Sequence, residues 1–178
     1  MSELTVERFM THAPHTIGQD QPLRSAYEMM RRYHVRHLPV LHGGKLVGIV
    51  SQRDLYFIET LSDVDPAKVP VSEAMSTDTY VVGPRSPLRT VAAEMAEHHY
   101  GSVVVMEHDR IIGILTMVDG MRALSLVLGE QRLAEQRLAE QRLAEQQLTE
   151  QCLTEQRLAE QQLAEQHLPE QPAAVSGS

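Results

Sequence analysis

Two short stretches carry residues able to do chemistry, at the same spacing. Ser51 precedes Asp54 by three positions, and Thr116 precedes Asp119 by three. Each pair follows an apolar run, Leu46-Val47-Gly48-Ile49-Val50 or Ile111-Ile112-Gly113-Ile114-Leu115, that reads as a short buried strand. A hydroxyl at the end of a strand, with a carboxylate three residues on, marks the start of a helix. Two chemistries fit. In the first, the hydroxyl and the acid satisfy backbone N–H groups that the first helical turn leaves unpaired, and do nothing more. In the second, those N–H groups and the hydroxyl hold a phosphate, and the carboxylate accepts both hydroxyls of a ribose. One copy alone favours the cap, because the pattern is common. Two copies in register bring the second chemistry into play.

Competing chemistry is sparse. Nine histidines invite a metal. However, a strand begins between His34 and His37, and His98 and His99 point apart on a helix. His12, His15, His42 and His108 fall in loops, so solvated histidines explain most of the set and no metal is expected. Neither Ser51 nor Thr116 has a positioned histidine in its local motif, so no nucleophile with its base is visible. The glycines form no phosphate-cradling or dinucleotide loop. The expectation is a protein that is not an enzyme. Met29 and Met30 read as core filler.

The elements that position the two motifs come from a duplication. Residues 5–54 align on 70–119 without a gap, with identities that include Met10/Met75, Gly18/Gly83, Pro22/Pro87, Gly48/Gly113 and Asp54/Asp119. Each copy opens with a helical turn, Val6 to Met10 or Val71 to Met75. A brief strand follows, near Thr16-Ile17 or Tyr80-Val81-Val82. Pro22 and Pro87 suit the first position of the next helix, and Ser86 suits a cap. Leu23, Ala26, Tyr27 and Met30 form one apolar face, matched by Leu88, Val91, Ala92 and Met95. A hairpin comes next, turning at Gly43-Gly44 or His108-Asp109. Pro39 has no N–H to donate, which predicts an edge strand or a strand beside a groove. The second helices are expected to end near Leu61 and Leu128, with Ser62 to Lys68 as linker and Gly129 as a stop signal.

Past residue 129 a five-residue repeat takes over, beginning Arg132-Leu133-Ala134-Glu135-Gln136 and running to Gln171. Its residues are strong helix formers. Arg132/Glu135, Arg137/Glu140, Arg142/Glu145 and Arg157/Glu160 are spaced to help it slightly. Five residues turn a helix by roughly 140° beyond a full circle, so the leucines point all round and no apolar face forms. The expectation is a solvated helix or disordered tail, with an oligomerisation or partner-docking helix as the alternative. Pro169 and Pro172 should end any helix. Cys152 is the only cysteine, which excludes an internal disulfide and a cysteine-cluster zinc site. With 16 basic and 24 acidic side chains the net charge is -8, and no basic block is present, so no nucleic-acid partner is expected. No run approaches the roughly 20 apolar residues that span a bilayer, and Met1-Ser2-Glu3-Leu4 does not look like a signal peptide. A cytoplasmic protein without membrane contact is expected.

The duplicated unit resembles the CBS domain, and the two together resemble a free-standing CBS pair, or Bateman module. The resemblance covers about residues 3–128 and rests on the order of elements, on Gly48-Ile49-Val50-Ser51-Gln52-Arg53-Asp54 and its copy, and on Arg36-His37-Leu38-Pro39-Val40. It implies an α+β fold of two tandem β-α-β-β-α units packed with pseudo-twofold symmetry, as residues 1–61 and 62–129, followed by a tail over 130–178. It implies a regulatory module that binds an adenosine ligand (AMP, ADP, ATP or S-adenosylmethionine) between the units, needs no other cofactor, forms a homodimer and signals to an effector protein. Carried over by position, Asp54 and Asp119 would hold ribose, Ser51 and Thr116 would lie at the phosphate, and Thr16, Ile17, Val81 and Val82 would line the base. Arg36 and His37 would face phosphate in one site, and Arg53 would partner phosphate or Asp54. The second copy has Gly101 and Ser102 in place of Arg36 and His37 and Val118 in place of Arg53, so one charged site is expected rather than two. The alternative is a ligand-free dimerisation or interaction module in which both motifs are caps alone.

Overall fold

In the computed structural model residues 4–60 and 65–166 are described. The chain divides into two units, Met1–Ser125 and Leu126–Ser178. The first unit opens with a tight turn of helix, Val6–Arg8, and then runs β1 Thr11–His12, β2 Ile17–Gly18, α1 Leu23–Tyr33, β3 His37–His42, β4 Lys45–Ser51 and α2 Gln52–Glu59. A second tight turn, Val71–Glu73, leads into β5 Val81–Val82, α3 Leu88–Glu97, β6 Ser102–Glu107, β7 Arg110–Thr116 and the start of α4, Met117–Gln166. The β-α-β-β-α order thus occurs twice, in an α+β fold.

One sheet has the order β2-β3-β4 and the other β1-β7-β6-β5. Both hairpins turn through left-handed residues, Gly43 and Gly44 (φ 55° and 80°) and His108 and Asp109 (φ 48° and 60°), which suits the twist of the strands they join. Each short strand lies parallel to the first hairpin strand, Ile17 opposite Val40 and Val82 opposite Val105. β3 is therefore central, and the edge position expected from Pro39 is corrected. Pro39 faces Ile49, whose own N–H and C=O are paired with Ser76 at 2.9 and 2.8 Å. The missing N–H therefore points the other way, towards β2, which starts one residue further along, opposite Val40. In the second copy Val104, the counterpart of Pro39, donates to the carbonyl of Tyr80 at 3.0 Å. Pro39 cannot make that bond to His15, so the segment before β2 is less tied to its sheet.

The opening segment of each repeat is packed into the other repeat. Val6 and Met10 lie in the core of Leu88, Val91, Met95, Val103, Val105 and Leu115. Val71 lies in the core of Ile17, Leu23, Ala26, Met30, Leu38, Val40, Val50 and Leu55, with Met75 against it. The backbone bonds exchange in the same way. Val6 N–H donates to Ser86 and Glu7 N–H to Pro84, while Val71 N–H donates to Gln21 and Ser72 N–H to Gln19. β1 pairs with β7, and Ser76 bridges Ile49 at the equivalent place.

This exchange also corrects the helix starts. Pro22 and Pro87 occupy the cap position with extended backbone, one residue before the helix, and neither start has a side-chain cap. The first N–H groups are satisfied from the other repeat, Leu23 by the carbonyl of Val69 at 2.9 Å and Leu88 by that of Leu4 at 2.8 Å. Ser86 is not needed as a cap, and its carbonyl accepts from Val6 instead.

In the second unit α4 continues through Gly129, so the stop expected there is corrected. A glycine inside a helix costs about 1 kcal/mol, which the flanking run of helix formers outweighs. Leu133, Leu138, Leu143, Leu148 and Leu153 are all about half exposed or more, as a five-residue period requires. No described helix is long and apolar enough to cross a membrane. Leu61, the first residues of the expected linker, Pro169 and Pro172 lie outside the described residues.

At Gly48 the exchange brings backbone as well as side chain close. A Cβ there would lie 2.7 Å from the Ser76 carbonyl oxygen and 2.8 Å from Met75 Sδ. Gly48→Ala is expected to destabilise the protein by about 1–3 kcal/mol, read as a lower denaturant midpoint at unchanged slope. An unchanged midpoint would show that the Met75 segment does not hold the first sheet.

Candidate functional site

Both motifs form the helix starts their spacing predicts. Ser51 caps α2: its N–H and hydroxyl donate to Asp54 Oδ2 at 2.8 and 2.7 Å, and Asp54 N–H donates back to Ser51 Oγ at 3.3 Å. Thr116 opens α4 in the same way, with its N–H and hydroxyl on Asp119 Oδ2 at 2.9 and 2.7 Å and Asp119 N–H on Thr116 Oγ1 at 3.4 Å. The second carboxylate oxygens differ. Asp119 is 4% exposed, and its Oδ1 accepts from Arg122 Nη1 at 3.1 Å. Asp54 is half-buried, and no hydrogen bond reaches its Oδ1 among the described residues.

The exchanged segments build a cleft of about 320 Å³. Thr11 to His15 form one wall, Tyr33 and Val35 to His37 another, and Gly101, Ile114 and Thr116 to Val118 complete it. The cleft thus joins Arg36 and His37, from the α1–β3 connection and the start of β3, to the hydroxyl and N-terminus of a helix from the other repeat. Gly101, the counterpart of Arg36, lies in the same cleft. A Cβ on it would lie 3.0 Å from His37 Nε2, so the small residue makes room for the imidazole. His15 stacks on Tyr33 with ring centroids 3.6 Å apart. Among the described residues no carboxylate lines the cleft. Burial, then the Arg36 guanidinium, lower the pKa of His37 from its ordinary 6.5; the Asp54 carboxylate opposes this and Arg53 adds to it.

Of the residues singled out from sequence, Arg36, His37 and Thr116 come together here. Asp119 sits beneath, bonded to Thr116. Ser51 lies opposite His37 in the β3–β4 ladder, and Arg53 is exposed beside Asp54. Thr16 is half-buried, Ile17 is core at 4% exposure, Val81 is 42% exposed and Val82 packs on the second core; none of these four lines this cleft. The wall that sequence reasoning missed is the segment from Thr11 to His15. Its signal was present in the repeated pairs Met10/Met75 and Gly48/Gly113, a large side chain conserved in the duplication wherever a strand glycine is. The counterpart of Pro14 is Thr79, whose hydroxyl is buried without a hydrogen-bond partner among the described residues. Such a group costs about 1–3 kcal/mol, which a ligand or water beside it would relieve. Among the described residues no three of His, Cys, Asp and Glu are grouped as a metal requires.

Against known families, residues 6–58 and 71–126 each match the CBS domain. The CBS domain-containing protein YhcV of Bacillus subtilis is 28% identical over 115 residues, which span 65% of this chain and 81% of that protein. A solved protein ascribed to acetoin utilization (AcuB) in Vibrio cholerae is 34% identical, with a TM-score of 0.65, over 73% of this chain and 96% of that one. CBSX2, solved in complex with AMP, is 27% identical, with a TM-score of 0.62, over 69% of this chain and 97% of that one.

Two stability measurements follow from this geometry. Asp119→Ala strands a buried hydroxyl and N–H, and is expected to cost about 2 kcal/mol; the more exposed Asp54→Ala should cost about 1 kcal/mol, both read from denaturant midpoints. Equal costs would show that burial of Asp119 adds nothing. His37, with its pKa lowered on folding, takes up a proton more readily when unfolded. The contribution is fully present above the unfolded value of about 6.5 and is lost as pH falls from there through the folded value. His37→Gln should flatten that part of the stability–pH curve, and a curve identical to wild type would assign the acid-side loss to other groups.

Proposed function

The chain belongs to the CBS domain family, and from that premise we propose that it binds an adenosine ligand between its two repeats and passes the occupancy of that site to an effector protein. A CBS pair is a regulatory module rather than a catalytic one. The observation that carries the proposal is the cleft itself, in which Arg36 and His37 of one repeat face Thr116 at the helix start of the other. A hydroxyl at a helix start and two basic side chains are groups that suit a nucleoside phosphate. The AMP complex of CBSX2 supports the ligand class. Neither aspartate lines the cleft: Asp119, bonded to the cleft residue Thr116, would accept a ribose only on releasing Arg122, whose side chain is 72% exposed, and Asp54 keeps one carboxylate oxygen unbonded.

Regulation requires that the ligand prefer one of two states. The contacts across the repeats supply a means, because a ligand held by both sides fixes their relative position. We assign the second state to a homodimer. Met117, Met121 and Leu124 form an exposed apolar stripe on α4, and Tyr56 and Phe57 stand exposed on its counterpart α2. A second copy would cover these self-complementary patches about a twofold. The second reading, a ligand-free interaction module, is favoured by one observation: the hydroxyl and carboxylate of both motifs are engaged in capping their helices.

A thermal-shift series on the full chain distinguishes the two, with AMP, ADP, ATP, S-adenosylmethionine and GTP on wild type, Asp54→Ala and Asp119→Ala. A ligand at 100 times its dissociation constant adds about 2.7 kcal/mol, and loss of that shift in one aspartate variant locates the ribose. Absence of any shift with every adenosine ligand would leave the interaction module as the reading.

A further inference from the structure

A second groove, of about 450 Å³, opens between the end of α1 and the start of α2. Met30, Arg31, His34, Val35, Arg36 and Gln52 line it, and among the described residues no acid does. Arg31, His34 and Arg36 are exposed and Gln52 is half-buried. The polar side chains are held in place by one another. The Arg31 guanidinium lies over the Tyr27 ring, 5.9 Å from its centroid. Tyr27 meets Tyr56 edge to face, with centroids 6.4 Å apart, and Gln52 Nε2 donates to the Tyr56 hydroxyl at 2.9 Å. Gln52 N–H donates to the Arg36 carbonyl at 2.9 Å, which ties the two sides of the groove together.

The second repeat is an internal control for what this set does. At the matched positions it has Ala92 for Tyr27, Ala96 for Arg31, Gly101 for Arg36, Met117 for Gln52 and Met121 for Tyr56, yet it forms the same elements. Basic residues in the last turn of a helix suit its dipole, and Arg31 and Arg32 are so placed in α1, but α3 ends without any. Both copies keep a core methionine, Met30 or Met95, and a left-handed histidine, His34 or His99, at φ 53° and 57°. Those residues serve the fold, and the arginines, tyrosines and glutamine of the first copy are not required by it. Pre-ordered arginine and tyrosine are the side chains that dominate binding energy at interfaces. Deepening the effector half of the reading above, on which it rests, we propose that this groove docks an acidic segment of the effector protein, with its carboxylates on Arg31 and Arg36. A guanidinium pairs with a carboxylate through two parallel hydrogen bonds, and stacking on Tyr27 holds that of Arg31 ready. The net charge of -8 repels a long polyanion such as a nucleic acid, whereas a few carboxylates are matched by the groove alone. Tyr56 stands on the face assigned above to a second copy, and the groove lies one turn earlier on α2, so both are open to their partners.

Arg36 lines the inter-repeat cleft as well, so Arg31 and Gln52 are the side chains that test the groove by itself. The experiment is fluorescence anisotropy of the full chain with a short labelled peptide of glutamates around one phenylalanine, with the same peptide carrying glutamines for glutamates, and with an oligothymidylate of equal charge, at about 0.15 M salt. Wild type is compared with Arg31→Ala and Gln52→Met, which install the second repeat's residues, and with His99→Gln on the second repeat. Arg31 is exposed, so that variant folds even if Gln52→Met does not. The acidic peptide is expected to bind roughly tenfold or more tightly than the other two probes, and Arg31→Ala to weaken it roughly tenfold. Gln52→Met weakens it less and His99→Gln leaves it unchanged. No binding of the acidic peptide, equal binding of the three probes, or wild-type affinity in Arg31→Ala overturns the proposal. Sedimentation without peptide checks the other occupant: a dimer that dissociates in Arg31→Ala assigns the groove to a second copy and overturns the proposal too. Thermal shifts with AMP on the same variants keep the two readings apart. A failed groove with the AMP shift intact leaves the adenosine reading standing, and peptide binding without any AMP shift leaves the groove standing and counts against that reading.

Discussion

The close approach of Met75 to Gly48, and of Met10 to Gly113, is the contact on which the rest of the first unit depends. In each case a thioether lies where a strand Cβ would otherwise be. It locks the opening segment of one repeat over the second hairpin strand of the other. A repeat in isolation would lack that cover, and the first N–H groups of α1 and α3 would have no acceptor. The two halves therefore share hydrogen bonds as well as apolar surface. Paired occurrence of the module is a consequence of this exchange, since neither sheet nor helix start is complete without the other copy.

The same exchange builds the cleft, and small departures from symmetry decide its chemistry. Arg36 has Gly101 as its counterpart, so the basic side chains of the cleft come from one repeat. Pro39 stands where Val104 donates to Tyr80, so His15 lacks the strand bond that Tyr80 accepts. Arg122 stands where the first repeat has Phe57, so one aspartate is paired and the other is not. Each change is a single side chain. Together they make the two halves of a symmetric frame differ in charge and hydrogen bonding, which a duplicated scaffold can accept because the glycines and methionines that hold it are kept in both copies.

The long helix α4 shows a different balance. Its first turns are held by Asp119 and by the buried Ala123, whereas from Leu126 the helix presents leucines on every side. Local propensity carries it through Gly129. Nothing in the repeat provides the left-handed residue and following contact that would turn a glycine into a stop, so the glycine is tolerated as an interior residue.

Much of the frame was legible in the amino-acid sequence. The 65-residue duplication, the alternation of short apolar runs with one amphipathic helix, the two hairpin turns and the two capped helix starts are all local signals, set by residues within a few positions of one another. The capping role of Ser51, Asp54, Thr116 and Asp119 belongs to this class. What only the tertiary structure decided is which repeat each opening segment belongs to, and hence that Thr11 to His15 rather than Thr16, Ile17, Val81 and Val82 face the charged cleft. It also decided that a proline can sit in a central strand, and that Asp119 is buried where Asp54 is only half-buried. The first of these outcomes depends on contacts between residues far apart in the chain, and periodicity within one element carries no information about what lies across from it.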